Sequence, residues 1–327
     1  MNFEDVEAAR KKCQFKDQAL AKKRKKAILI SCLVVFSIEA LILLIVRPIK
    51  FSEPNFTKII LSLIFVFVAC ALQLGFIGII VFILTYKDTT VRTECYLAYK
   101  KAYKSYFIYQ QLNKIFTDLQ YNHEQGLDKN LLKESGIIYT GDIYKSNDLV
   151  KAKYKNVKFL QADVEIIDED RKKDEDGKTE IEYDTVFKGR YLIFDFPKKF
   201  DFKMAISFHG YGGFYINPKT GRGLNMIKTE SPEFNKRFLV YAEDGFEAFY
   251  ILDPIFLDKL EKLGAKYDNN LALYFSDSKL YIGLNDGGDS FEPPSPDAPI
   301  NEQAEKAKVI NDMKLITDLV DNLKLSK

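Results

Sequence analysis

The chain has no tryptophan, only two histidines and only four cysteines, and the places of those few residues exclude a good deal. Cys13, Cys32, Cys70 and Cys95 all precede the long C-terminal part. That part therefore has no thiol for a disulfide framework, a thiolate zinc site or a Cys-His nucleophile, as suits a reducing compartment. His123 and His209 stand far apart, without the spacing of a metal-ligating pair. An excess of one charge sign is missing too: Lys+Arg 48 stand against Asp+Glu 46, so no broad basic field calls for nucleic acid. No serine elbow or Walker lysine is found, and the scattered carboxylates form no recognisable pair. No catalytic, cofactor-binding or metal-ligating residue is assigned, and no cofactor is expected.

Long apolar runs are what the sequence does have. Ala27–Val46 and Ile59–Thr85 are each long enough, at ~1.5 Å per helical residue, to cross a hydrocarbon core of ~30 Å. Only helices satisfy their own backbone there, so both runs are read as transmembrane helices. Lys22, Lys23, Arg24, Lys25 and Lys26 precede the first run, behind Arg10, Lys11, Lys12 and Lys16. Such flanks favour the cytoplasm. The expected order is a basic cytoplasmic tail (1–26), a first span (27–46), a short external loop (47–58) and a second span (59–85). Both termini are then cytoplasmic, in a two-pass protein of the plasma (inner) membrane. A cleaved signal peptide fits less well, because the first run is long and ends in Val46-Arg47-Pro48 without a small-x-small site. The bilayer is the first expected partner, with anionic lipid attracting each Lys or Arg of the tail by about 1 kcal/mol. Lipidation of Cys95 would add little anchoring to two spans.

Glu39 and Gln73 lie near the middle of the two runs and form a candidate intramembrane contact. An interhelical hydrogen bond is the plainer reading and a proton or ion site the bolder one. Ala71, Gly75 and Gly78 permit close helix approach.

Beyond the second run, Thr93–Tyr121 has no Gly or Pro and reads as a juxtamembrane helix (about 91–122). Tyr96, Tyr99, Tyr103 and Tyr106 mark one side, while Ile108, Leu112, Ile115 and Leu119 mark nearly the opposite side. The helix therefore contacts two partners or bends near Tyr106. An α+β domain follows over 136–290, with a mostly antiparallel sheet. Strands are expected at Lys158–Ile167, Glu180–Phe187, Gly189–Phe196, Met204–Phe208, Gly223–Lys228, Arg237–Ala242 and Glu247–Tyr250. Leu271–Phe275 and Lys279–Leu284 form a hairpin around Ser276-Asp277-Ser278. Asp253 and Pro254 open a helix that Gly264 should close. A Pro-rich spacer (291–299) is expected to be extended rather than packed. An amphipathic helix (300–327) follows, where Val309, Met313, Ile316, Val320 and Leu323 form a coiled-coil-spaced seam. That seam is the candidate contact for a partner helix or a second copy, with docking onto its own domain the alternative.

Two tempting motifs fail. Asp174, Asp176 and Gly177 match part of a calcium loop, but Lys172 and Tyr183 stand where its first and last ligands belong. His209-Gly210-Tyr211-Gly212-Gly213 leads to no helix that could seat a phosphate.

Several stretches carry a resemblance. Phe187-Lys188-Gly189-Arg190-Tyr191 is followed by Asp195-Phe196-Pro197-Lys198-Lys199-Phe200, and Ser231-Pro232-Glu233-Phe234-Asn235-Lys236-Arg237 by Phe238-Leu239-Val240-Tyr241. Ala248-Phe249-Tyr250-Ile251-Leu252-Asp253-Pro254 and Leu280-Tyr281-Ile282-Gly283-Leu284 complete the series. In order and spacing, 136–291 resembles the bacterial domain-of-unknown-function family 3137, whose members commonly begin with two spans. The resemblance implies no activity and no catalytic residue. Relatives tend to have an arginine where this chain has Phe249. The expected function is a membrane-anchored, non-enzymatic module that binds a protein or lipid partner or forms a homo-oligomer. The alternatives are a hydrolase or nucleotide-binding enzyme using carboxylates near His209 and Arg222, and a transporter subunit relying on Glu39.

Overall fold

The computed structural model describes residues 1–46 (side chains through 37), 75, 77–79, 81–82, 91–135, 138, 140–173, 179–196, 199, 201–208, 224–268, 270–323 and 325. Among these no helix is long and apolar enough to cross a membrane. The chain divides into two compact units, Met1–Tyr103 with Pro294–Ile300, and Lys104–Pro293 with Asn301–Lys327.

In the first unit the basic tail is helical, as the start of helix α1 (Phe3–Val46). Val6, Cys13, Leu20 and Ala27, seven residues apart, are buried along one line, the repeat that keeps a helix stripe facing a partner helix. The partner is α2 (91–103), which buries Cys95, Tyr99 and Ala102 and pairs Arg92 with Asp17 of α1. The proline-rich stretch is packed here, contrary to expectation. Arg10 donates to the Pro296 carbonyl at 2.5 Å, Gln14 to that of Asp297 at 2.8 Å and Tyr99 to that of Pro294 at 3.1 Å. Prolines remove donors, not acceptors, so their carbonyls remain available to helix side chains. Between Ala27 and Ser37 α1 has no charged residue, and Leu29, Leu33 and Phe36 are each more than half exposed.

The second unit is α+β, built among the described residues on one nine-stranded sheet whose pairings are all antiparallel. Its strands are β1 (Thr117–Asn122), β2 (Ile143–Tyr154), β3 (Val157–Lys173), β4 (Thr179–Asp195), β5 (Met204–Phe208), β6 (Asn225–Ile227), β7 (Phe238–Ala242), β8 (Leu271–Ser276) and β9 (Lys279–Leu284). They lie in the order β1-β2-β3-β4-β9-β8-β5-β7-β6. Two-residue turns with positive φ, Lys155-Asn156 and Asp277-Ser278, close the β2–β3 and β8–β9 hairpins, the backbone that matches strand twist. On one sheet face Ala162, Val164, Tyr191, Ile193, Tyr274 and Tyr281 pack with Leu132 of α4 (Lys129–Ser135). Tyr191 donates to Ser135 Oγ there at 2.5 Å. Arg190 points to the opposite face, where it donates to the Asp312 carbonyl of α8 (Glu302–Asn322).

Several expectations are corrected. The long helix does not reach Tyr121: it changes pitch at a π-helical segment, Lys104–Ile108, resumes as α3 (Tyr109–Ile115), and gives way to β1. The wider π turn shifts the helix face, which accounts for the two stripes meeting at Tyr106. Tyr99, Tyr103 and Tyr106 are core residues. Strand β4 is continuous through Lys188-Gly189, and its irregularity falls earlier, where the register shifts at Ile166/Ile167. Gly189 serves another purpose. At φ +154°, a Cβ there would sit 2.0 Å from the Leu284 carbonyl oxygen, so only glycine lets β9 approach this closely.

Glu247–Tyr250 is not a strand. Asp244 accepts from the Phe246 and Glu247 amides and caps a short helix, α6 (Gly245–Phe249). The same device, Ser231 before Pro232, starts α5 (Pro232–Arg237). Helix α7 (Pro254–Lys266), capped by Asp253, runs through Gly264 because Leu257, Leu260 and Leu263 hold it to the core. The seam of α8 is closed rather than offered to a partner. Val309, Met313, Ile316, Val320 and Leu323 are all buried, and α8 lies against α3 and α7.

Candidate functional site

Two features of the second unit concentrate chemistry, and the sequence pattern announced neither. The first is a buried group of charges. Lys104, on the π-helical segment and 1 % exposed, donates to Asp148 Oδ2 at 2.5 Å and reaches Glu292 Oε1 at 2.8 Å. Asp148, 0 % exposed, sits in the irregular stretch of β2 between Asn147 and Val150 with φ +57°. This conformation is one that Asp tolerates better than most residues. It accepts further from Tyr121 Oη at 2.6 Å and Asn147 Nδ2 at 2.7 Å. Asp163 of β3 accepts the Ser290 amide on Oδ2 at 2.7 Å, while its buried Oδ1 has no partner.

Electrostatics follow from this packing. Burial, reinforced by the charges of Asp148 and Asp289, holds the Asp163 carboxyl well above the usual range. Burial also raises Asp148, against the opposing pull of Lys104 and Tyr121. Tyr121 is driven up by burial and by the Asp148 charge beside it. One oxygen from each of Asp148, Asp163 and Asp289 lies within 4.8 Å of the others. Lys104 was hidden inside the tyrosine stripe, and Asp148 and Tyr121 lie on strands the pattern did not reveal.

The second feature is a groove of about 700 Å³ at the β1 end of the sheet. Lys151, Lys153, Lys158 and Lys279 line it with Asp118 and Asp195, over Leu119, Ala152, Phe159, Leu160 and Ile193. Strand register explains the set. Gln120, Lys151, Leu160 and Ile193 form one cross-strand row, and Lys158 stands opposite Lys153. Lys153 is paired with Asp118 at 2.6 Å. Among the described residues, Lys151, Lys158 and Lys279 have no carboxylate partner within 4.0 Å.

Gln73, His209, Arg222 and the stretch 174–177 fall outside the described residues, as does the Glu39 side chain.

The family described as "Protein of unknown function (DUF3137)" matches residues 185–325, so this part of the chain is similar to that family. The match takes in α8, which the likeness read from sequence stopped short of, and starts within β4 rather than at 136. No curated protein matches the chain. Among solved structures, the mycobacterial trehalose monomycolate transport factor A, TtfA, is similar at 10% identity and a TM-score of 0.34, over 68% of this chain and 94% of that one. At that score the likeness carries no argument.

Proposed function

We propose that this chain is a membrane-anchored, non-enzymatic binding module whose lysine-rimmed groove takes the acidic headgroup of a lipid. Residues 27–46 and 59–85 form its two-helix anchor, and the α+β domain lies on the cytoplasmic side. The groove carries this reading. It has the size of a small-ligand site, ~300–1,000 Å³, lined by apolar residues and by Lys151, Lys158 and Lys279, which have no carboxylate partner among the described residues, beside the Lys153–Asp118 pair. A lipid presents the matching pair of surfaces, an anionic head above the first methylenes of its chains. The anchor is supported by the uncovered apolar side chains of α1 around Leu29, Leu33 and Phe36, because a helix apolar all round needs a nonaqueous environment.

The test titrates the full chain, held in neutral detergent, with a short-chain phosphatidylglycerol and with the matching phosphatidylcholine. Binding of the anionic lipid alone is expected. At about 1 kcal/mol per lysine, K151Q with K158Q weakens it by roughly 30-fold. Equal binding of the two lipids, or an unchanged double variant, would contradict the proposal.

A further inference from the structure

We infer that Asp148, Asp163 and Asp289 form a calcium site in the α+β domain, separate from the groove. Their carboxylate oxygens lie within 4.8 Å of one another. Calcium binds oxygens at ~2.3–2.6 Å, so two ligands on opposite sides of one ion stand about 4.6–5.2 Å apart. A single ion can touch all three.

A second observation, independent of that spacing, points to a missing ligand. Asp163 is 4 % exposed, yet its Oδ1 has no hydrogen-bond partner. Gln161, on the same face of β3 two residues away, is fully buried and leaves both amide atoms without partners. Buried polar atoms are nearly always satisfied, and each exception asks for an explanation such as a bound ion.

Charge balance adds to the case. Asp148 and Glu292 both pair with the Lys104 ammonium, and one oxygen each of Asp163 and Asp289 lies within 4.8 Å of Asp148. Arg190 stands opposite Asp163 on β4, but its guanidinium is engaged by the Asp312 carbonyl at 2.8 Å and by Asp286 at 3.4 Å. The donor set is carboxylate oxygen, without thiol or imidazole, which selects a hard cation. Calcium suits it better than magnesium, which demands a tighter octahedron at ~2.0–2.1 Å and gives up its waters reluctantly. Asp289 is exposed and provides the way in.

The test is calorimetric titration of the chelator-stripped full chain, in neutral detergent, with calcium alone and magnesium alone. One calcium per chain is expected, bound more tightly than magnesium. D163N and D289N should each weaken it by tenfold or more. D289N changes an exposed side chain, so it keeps the test open if D163N disturbs folding. An absence of saturable calcium binding, tighter binding of magnesium, or unchanged affinity in either folded variant overturns the inference.

Discussion

Deletion of 301–327 is expected to leave the α+β domain without a cooperative unfolding transition, and Ile316→Ala alone to cost about 2–5 kcal/mol. Helix α8 is long and only moderately amphipathic, so its sequence reads equally well as a free zipper. Its burial decides between the readings. Val309, Met313, Leu315, Ile316, Leu319 and Val320 are each at most 1 % exposed. Removing them exposes matching apolar surface on α3, α7 and the sheet face that Arg190 shares. Each buried aliphatic side chain contributes about 1.5–3 kcal/mol, against a total domain stability of about 5–15 kcal/mol. Chemical unfolding followed by circular dichroism checks both variants. A truncated chain that melts like the intact one would show α8 to be a dispensable arm.

The second large effect is expected at Lys104. Replacing it by methionine leaves Asp148, 0 % exposed, without its ammonium, and breaking a buried pair in this way costs about 3–5 kcal/mol. The loss comes from the stranded carboxylate more than from the missing attraction. Asp148→Asn in the same chain should therefore recover part of it, as a coupling of about 0.5–3 kcal/mol. Asparagine suits the rescue because it tolerates the positive φ of this position and can still bond Tyr121. Denaturant titration of wild type, both single variants and the double variant measures the coupling. Strictly additive single effects would mean that the pair does not act as a unit.

How far the sequence could be read depended on whether the signal was local. The two-residue turn at Asp277-Ser278, the Asp253-Pro254 helix start and the antiparallel α+β class follow from turn chemistry and caps that act within a few residues. Strands β1 and β2 escaped because their alternation is broken. Lys151 and Lys153 face the groove where an apolar face was sought, and Asp148 sits in an irregularity. Glu247–Tyr250 looked like a strand by its aromatic residues, yet the Asp244 cap overrides that preference. The closing of the α8 seam could not be read locally, since a heptad rhythm is the same whether it meets another chain or its own domain. Both candidate sites depend on register across strands far apart in sequence. Lys104, Asp148, Asp163 and Asp289 become neighbours only once β1, β2 and β3 are aligned.

In the function proposed above, an acidic lipid occupies the lysine-rimmed groove in the living membrane. A photo-cross-linking residue placed at Leu119, which lines that groove, and activated in intact membranes should become joined to an anionic phospholipid, identified by the mass of the adduct. Adducts confined to peptides or neutral lipids would contradict it.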